Sequence, residues 1–190
     1  MGDPKKQKKR YETPRHPWEK DRIELEKGLI VEYGLKNHKE VWKARSFVKR
    51  ATDQAKRLIG EKTEKRDVEK KNLSRRLQKY GLIQADAGLD KVFDIQLKDV
   101  LERRLQTLVV RKGLCKSMKQ ARQMIVHGHI TVGGKKQTSP SYLVMVSEED
   151  SIAFSGASPF SDENHPEIIK IREGKEPEKQ IVKEESGEKE

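Results

Sequence analysis

The side chains in this sequence that can do chemistry are mostly cations, and their spacing suits binding rather than catalysis. Between residues 100 and 140 stand nine basic residues and one acid, Glu102. Arg103, Arg104, Arg111 and Lys112 fall on one apolar-periodic run, Lys116, Lys119 and Arg122 on a second, and Lys135 and Lys136 follow a Gly-Gly pair. Another cluster opens the chain, where five of the six residues from Lys5 to Arg10 are basic (Lys5, Lys6, Lys8, Lys9 and Arg10), with Arg15 just beyond. A third runs along residues 39–57 as Lys39, Lys43, Lys49, Arg50, Lys56 and Arg57, with few interleaved acids. Cations gathered in this way neutralise phosphates and release counterions from a nucleic-acid backbone. The catalytic alternatives lack their parts. No phosphate-cradling glycine loop or nucleophile–base pair stands out, and Asp86, Asp90, Asp94 and Asp99 recur at connector and helix-start positions, where capping explains them.

Composition points the same way. Of 190 residues, 38% are charged, 33% hydrophobic and 5% aromatic, so a modest core is affordable only in places. The 42 Lys and Arg exceed the 31 Asp and Glu by 11, and the sequence pI is near 9.6. The excess is uneven, because residues 161–190 carry a net −4 and everything before them +15. A chain this basic repels itself until a polyanion neutralises it. A membrane surface is the weaker candidate, since no apolar run approaches a bilayer span, and the basic run Met1 to Arg10 has no apolar region after it to make a signal peptide. The expectation is a soluble, intracellular, monomeric RNA binder without a membrane partner. Cys115 is the only cysteine, which excludes a disulfide framework and a multi-thiolate zinc site. His127 and His129 form an H-x-H pair with no third ligand nearby in sequence, so the expectation is packing or RNA contact, with no metal and no cofactor.

These side chains need elements to hold them. Residues 1–18 read as an irregular arm broken by Pro4, Pro14 and Pro17, of the kind that stays disordered until it meets phosphates. Tyr11 and Trp18 in it suit either base stacking or a protein groove. Residues 19–96 read as a helical region with little core of its own. Ile23, Leu29, Ile30 and Tyr33 share a broad face ending at Gly34. Val41, Ala44, Val48, Ala51, Ala55 and Leu58 then recur at spacings of three and four, the mark of one apolar helical stripe. A highly charged run, 61–72, leads into a helix edged by Leu73, Leu77 and Tyr80, and residues 82–94 read as a connector.

From residue 97 the pattern tightens into a module whose core spans 103–165. Leu97, Val100, Leu101, Leu105, Leu108 and Val109 predict one helix closing at Gly113. Ser117 followed by Gln120 predicts a capping box, and Met118, Ala121, Met124 and Ile125 predict the buried side of a second helix ending at Gly128. Periodicity then switches to two, with a Gly133-Gly134 hairpin turn, a second run 142–146, a polar turn 147–150 and a last run 151–154. Residues 166–190 read as a charged, disordered tail. The fold class is α+β, with a mostly helical first part and two helices followed by a small antiparallel sheet.

The string LERRLQTLVVRKGLCKSMKQARQMIVHGHITVGGKKQTSPSYLVMVSEEDSI resembles the S-four RNA-binding domain, an alpha-L type module. YETPRHPWEKDRIELEKGLIVEYGLKNHKEVWKARSFVKRATDQAKRLIG and SPFSDENHPE resemble the segments before and after that domain in archaeal small-subunit ribosomal protein S-four, and together the match spans about residues 5–168. The resemblance implies a primary binder of small-subunit ribosomal RNA that joins early and organises the subunit body. It also implies neighbouring small-subunit ribosomal proteins, a location near where mRNA enters, an influence on decoding accuracy, and residence in the cytoplasm within the small subunit. Matching positions are Arg104, Ser117, Arg122, Gln123 and His127, with Gly133 and Gly134 in the hairpin; Ser117, Gly128 and the hairpin glycines are read as structural, and Arg122 and Gln123 as RNA contacts. The cysteine-based zinc site of bacterial relatives cannot be carried over, because no cysteine precedes Cys115.

Two other readings share the module. An RNA-modifying enzyme would need a catalytic domain that the rest of this chain does not offer. A ribosome-assembly factor would share the basic arm as well, and the archaeal-type N-terminal motif weighs against it. Residues 1–50 hold fifteen basic and eight acidic residues, so the expected grip is a two-part clamp of arm-bearing helices and module. If the grip makes six to ten phosphate contacts, affinity for ribosomal RNA should fall roughly a thousandfold to a hundred-thousandfold between ~50 and ~200 mM salt, measured by filter binding.

Overall fold

A computed structural model of the chain describes residues 9–60, 65–84, 88–162 and 165–173. The chain divides between Arg103 and Arg104 into two compact units. The first holds α1 (Lys20–Glu32), α2 (His38–Gly60), α3 (Lys65–Lys79), a 3-10 turn (Leu89–Val92) and α4 (Leu97–Glu102). The second holds α5 (Leu105–Arg111), α6 (Met118–Val126), β1 (Ile130–Val132), β2 (Lys135–Lys136), α7 (Val146–Glu149), β3 (Ala153–Phe154), a 3-10 turn (Pro159–Ser161) and α8 (Pro166–Glu173).

In the first unit α2 is the central element, packed against α1, α3, α4 and the 3-10 turn. Its apolar stripe is where the spacing put it: Val41, Ala44, Ala51, Ala55 and Leu58 are buried and Val48 half-buried, while Lys39, Lys43, Lys49, Arg50, Lys56 and Arg57 are exposed. Leu73 and Leu77 close over it from α3, and the Phe47 and Tyr80 rings meet edge to face at 6.1 Å. The expectation of little core is corrected here, because Ile83, Leu89 and Val92 of the connector and Ile95 just after it are buried along with Val100 and Leu101 of α4. Single apolar side chains in a polar connector carry no period, so their burial is invisible to a pattern search.

A buried carboxylate stands out in this unit. Glu26 of α1 is 5% exposed. Arg22 Nη1 donates to its Oε1 at 2.8 Å, His38 Nδ1 lies 2.8 Å from its Oε2, and Trp42 Nε1 donates to both oxygens at 3.2 Å. Desolvation by itself would raise the acid's pKa, but the hydrogen bonds from Arg22, His38 and Trp42 outweigh it and hold the carboxyl below its usual range. The same cluster anchors the arm. Arg22 Nη2 donates to the carbonyls of His16 and Pro17 at 3.3 and 2.9 Å, and the Tyr11 ring stacks on Trp42 at 6.2 Å. The Glu12 amide donates to Ser46 Oγ at 3.0 Å, and the Glu12 carboxylate pairs with Lys49 at 2.5 Å. Residues 9–18 are thus laid against α1 and α2, where a free arm was expected; Tyr11 plugs a protein surface, and Trp18 stays 91% exposed.

The single helix expected from Leu97 to Gly113 is two helices. Arg103 and Arg104 interrupt it, with Arg104 extended (φ −74°, ψ 141°) and bridged to Leu143. The amides freed at the start of α5 are satisfied from outside the helix, Leu105 N–H donating to the Tyr142 carbonyl at 2.8 Å and Gln106 N–H to the Pro140 carbonyl at 3.4 Å. That use of residues 140–143 also corrects the strand expected over 142–146, since the segment caps a helix instead of extending the sheet. The polar turn 147–150 is mostly the short helix α7.

The sheet has the order β2-β1-β3, all antiparallel, with Val132 opposite Lys135 and Ile130 opposite Phe154. Gly133 and Gly134 take φ of +56° and +75°, the paired positive values of a two-residue hairpin turn that other residues adopt only with strain. Leu105, Val109, Ala121, Ile125, Ile130 and Val144 are all 0% exposed and form one core with Cys115, Met124 and Ile152. The expected tail from 166 begins as helix α8, with Ile168 and Ile171 buried; residues 174–190 lie outside the described ones.

Glu26→Ala should cost about 3–5 kcal/mol by leaving Arg22 without its buried partner. Both tryptophans belong to the first unit, so tryptophan fluorescence during denaturant unfolding reads this unit alone. Because the folded carboxyl titrates low, its contribution is full above the ordinary carboxylate range and should fade as pH drops through the depressed value.

Candidate nucleic-acid interface

The side chains proposed to meet RNA in the second unit are organised by α6. Ser117 is its N-cap, accepting from the Gln120 amide at 3.2 Å. The Gln120 side chain reaches one residue further back than a standard capping box, accepting from the Lys116 amide at 2.8 Å. Gln106 Nε2, wholly buried, donates to the Met118 carbonyl at 2.9 Å and so fixes the start of α6 to α5. At the other end Gly128 takes φ +76°, letting the His129 amide reach the Met124 carbonyl at 3.0 Å. With Ala121, Met124 and Ile125 facing the core, helical periodicity turns Lys119 and Gln123 outward and leaves Arg122 partly buried, and His127 follows as the C-cap.

Charge and backbone act together at the N-terminal end. The exposed Lys116 and Lys119 flank the Ser117 cap, and the first turn of α6 contains no acid. Cations beside the positive end of a helix dipole are unfavourable for the free helix and favourable for a bound anion.

The expected site residues do not all join this surface. Arg111, Lys116, Lys119, Gln123, His127, Lys135 and Lys136 are exposed, and Arg103 and Arg122 are partly buried. Arg104 is 5% exposed at the extended joint before α5, so its matching position in the motif serves the fold. Lys112 is also drawn inward: its ammonium donates to the Glu149 carbonyl, lies 3.9 Å from the Asp150 carboxylate, and ties α5 to the end of α7. An open phosphate-binding set on the module therefore excludes these two cations. Lys135 and Lys136 occupy the edge strand β2.

In the first unit Lys39, Lys43, Arg50 and Arg57 share one exposed face of α2 by their spacings of four and seven. Lys49 points elsewhere, to Glu12, and Arg50 Nε donates to the Ser46 carbonyl at 3.0 Å. Lys9, Arg10 and Arg15 are exposed, with Lys9 Nζ 4.9 Å from the Tyr11 ring centre. Lys5, Lys6 and Lys8 lie outside the described residues.

The histidine pair separates in role. His129 Nδ1 lies 2.9 Å from Ser158 Oγ, and its ring meets the edge of Phe160 at 4.9 Å, with His165 on Phe160 at 4.8 Å. His127 stays exposed and lines a groove of about 390 Å³ with Gln120, Gln123, His129, Phe160 and the carboxylate of Glu167, which accepts from Gln120 Nε2 at 3.4 Å. Sequence reasoning missed Ser158 and Phe160 because their partner is 29 residues or more away. It also missed Glu26, for which the only signal was Arg22 one helical turn before it. Burial pushes the Cys115 thiol up to about 12, with its Sγ 3.2 Å from Met124 Sδ, so it is a core residue with no nucleophilic role. Among the described residues no group of three or more His, Cys, Asp or Glu is placed to hold a metal.

A capped, cation-faced helix packed on a second helix and followed by a short hairpin defines a small RNA-binding module, and residues 103–150 match the S4 domain. The likeness extends to nearly the whole chain. Small ribosomal subunit protein uS4 of Methanococcus aeolicus is 49% identical over 168 residues, covering 88% of this chain and 95% of that protein. The same-named protein of Methanococcus maripaludis strain C5 is 47% identical over 168 residues, covering 88% and 94%. The chain belongs to the uS4 family of small ribosomal subunit proteins.

Ser117→Ala should lower stability by about 1 kcal/mol through loss of the cap. Its effect on RNA affinity should be smaller than that of removing either adjacent lysine, as measured by unfolding and binding on the same variants.

Proposed function

We propose that this chain is a structural constituent of the small ribosomal subunit that binds its ribosomal RNA directly and has no catalytic role. The observation that carries the reading is the start of α6, where the exposed Lys116 and Lys119 flank a helix N-terminus that has no acid in its own first turn and is fixed by Ser117 and Gln106. The end-to-end similarity to proteins named as small-subunit components supports it. Phosphates are the main target. Bases in exposed loops or bulges are read by Gln123 and His127 at the groove, and by Trp18 in the arm.

Both units take part in this reading. The module supplies Arg111, Lys116, Lys119, Arg122, Lys135 and Lys136, with Arg103 at the joint. The first unit supplies Lys9, Arg10, Arg15, Lys43 and Arg50, and Lys5, Lys6 and Lys8 extend the arm. A protein gripping RNA from two units joins the subunit early, organises its body, and acts with neighbouring ribosomal proteins near where mRNA enters, which gives it an influence on decoding accuracy. The rival reading, an assembly factor, differs in its fate, because such a factor leaves before the subunit matures.

Purified mature small subunits should retain the chain at one copy each through a sucrose gradient. The double variant Lys116→Glu/Lys119→Glu should incorporate poorly, and the salt dependence of its RNA binding should flatten by about two units of log–log slope, with the thermal midpoint unchanged or slightly raised. Full incorporation of the variant would move the binding face away from α6, and loss of the wild-type chain on maturation would favour the assembly factor.

A further inference from the structure

The first unit carries a surface that is poorly suited to RNA. A groove of about 1040 Å³ lies between α1, the start of α2 and the start of α4. Its lining is mostly apolar, with Leu25, Leu29, Val41 and Leu97 along it. Leu25 is 72% exposed, unusual for a leucine on a helix so rich in charge. Around this strip stand the carboxylates of Glu19, Asp21, Glu24 and Glu32, against the cations of Arg45 and Lys98, while Arg22 is committed to the buried Glu26. Apart from the buried Arg22–Glu26 pair at 2.8 Å, these ion pairs along the rim are loose: Lys20–Glu24, Arg22–Glu19 and Lys98–Glu32 are each 3.8 Å apart, with acids that are half exposed or more. Exposed pairs of this kind contribute little and are easily exchanged for better-placed cations.

A second, independent observation lies within the same groove. Gly28 stands in the middle of α1 with ordinary helical backbone, where glycine weakens a helix relative to alanine. A Cβ built there would meet nothing within 4 Å. No described residue of this chain requires the missing methyl group. A glycine that costs helix stability and serves no internal packing, on the wall of an open apolar groove, suits close approach by the backbone of another molecule.

We propose that this groove docks a basic, extended segment of a neighbouring ribosomal protein, its backbone lying over Gly28, an apolar side chain seated on Leu25 and Leu29, and its cations on Asp21, Glu24 and Glu32. Charge complementarity decides the occupant. Phosphates are repelled by the carboxylate rim, whereas a segment rich in Lys and Arg is drawn to it and finds the apolar strip that RNA would leave unused. The acidic tail of this chain is excluded by its own sign. This proposal rests on the ribosomal reading above for the presence of such neighbours, and it assigns protein docking to α1 and RNA binding to α2 and α6.

The test uses full-length chain assembled into small subunits, with p-benzoylphenylalanine in place of Leu25 in one sample and in place of Lys119 in another. After irradiation, position 25 should yield an adduct with a Lys/Arg-rich peptide of another ribosomal protein, identified by mass spectrometry. An adduct with ribosomal RNA, an adduct within this chain, or no adduct at position 25 would overturn the docking proposal. Position 119 checks the RNA-binding reading separately, since failure to crosslink RNA there overturns that reading whatever position 25 gives. Adding Gly28→Ala should raise the thermal midpoint of the free protein and cut the position 25 adduct at least tenfold; an unchanged yield would show that no backbone lies over this glycine.

Discussion

One extended residue organises the second unit. At Arg104 the chain leaves helical geometry, pairs with Leu143, and restarts as α5 with its first amides bonded to residues 140 and 142. Free amides at a buried helix start are costly, and here a distant stretch of the same chain satisfies them. The pairing sets where α5 lies. Gln106 then bonds the start of α6, whose apolar side closes the core with β1 and Val144. Leu105 and Val109 of α5 thereby share one core with Ala121 and Ile125 of α6.

The module is held by apolar burial and a few specific caps, and its surface electrostatics work against its own stability. Lys116 and Lys119 stand at the positive end of α6, whose first turn has no acid of its own, and Glu167 of α8 reaches the Gln120 side chain at 3.4 Å. Natural helices usually place acids there, so the inversion is informative about a partner. Cations that serve the fold instead are recognisable by their contacts. Arg104 is buried at the joint, and Lys112 is committed to the Glu149 carbonyl and Asp150. Net charge per segment counts all of these equally, and only geometry separates phosphate binders from ties.

The first unit solves a different problem. Its core draws on connector residues as well as helices, and beside it a buried carboxylate collects Arg22, His38 and Trp42. Ionised and well bonded, Glu26 links α1 to α2 and, through Arg22 and the Tyr11–Trp42 stack, holds residues 9–18 in place. The arm's cations at Lys9, Arg10 and Arg15 are thereby held on an irregular segment laid against the helices.

Periodicity and local chemistry determined much of this protein from its residues alone. The stripe of α2, the Ser117 cap, the hairpin at Gly133-Gly134, the α+β class and the family resemblance were all legible, because each depends on residues within a few positions of one another. Tertiary structure decided the rest. The break at Arg104 depends on Tyr142 and Pro140, the packing of His129 on Ser158 and Phe160, and the commitment of Lys112 on Glu149. Glu26 reads as one more surface acid until Trp42 and His38 close over it. These contacts join residues far apart in the chain, so no local pattern announces them, and their energies favour one arrangement only once both partners are brought together by the core.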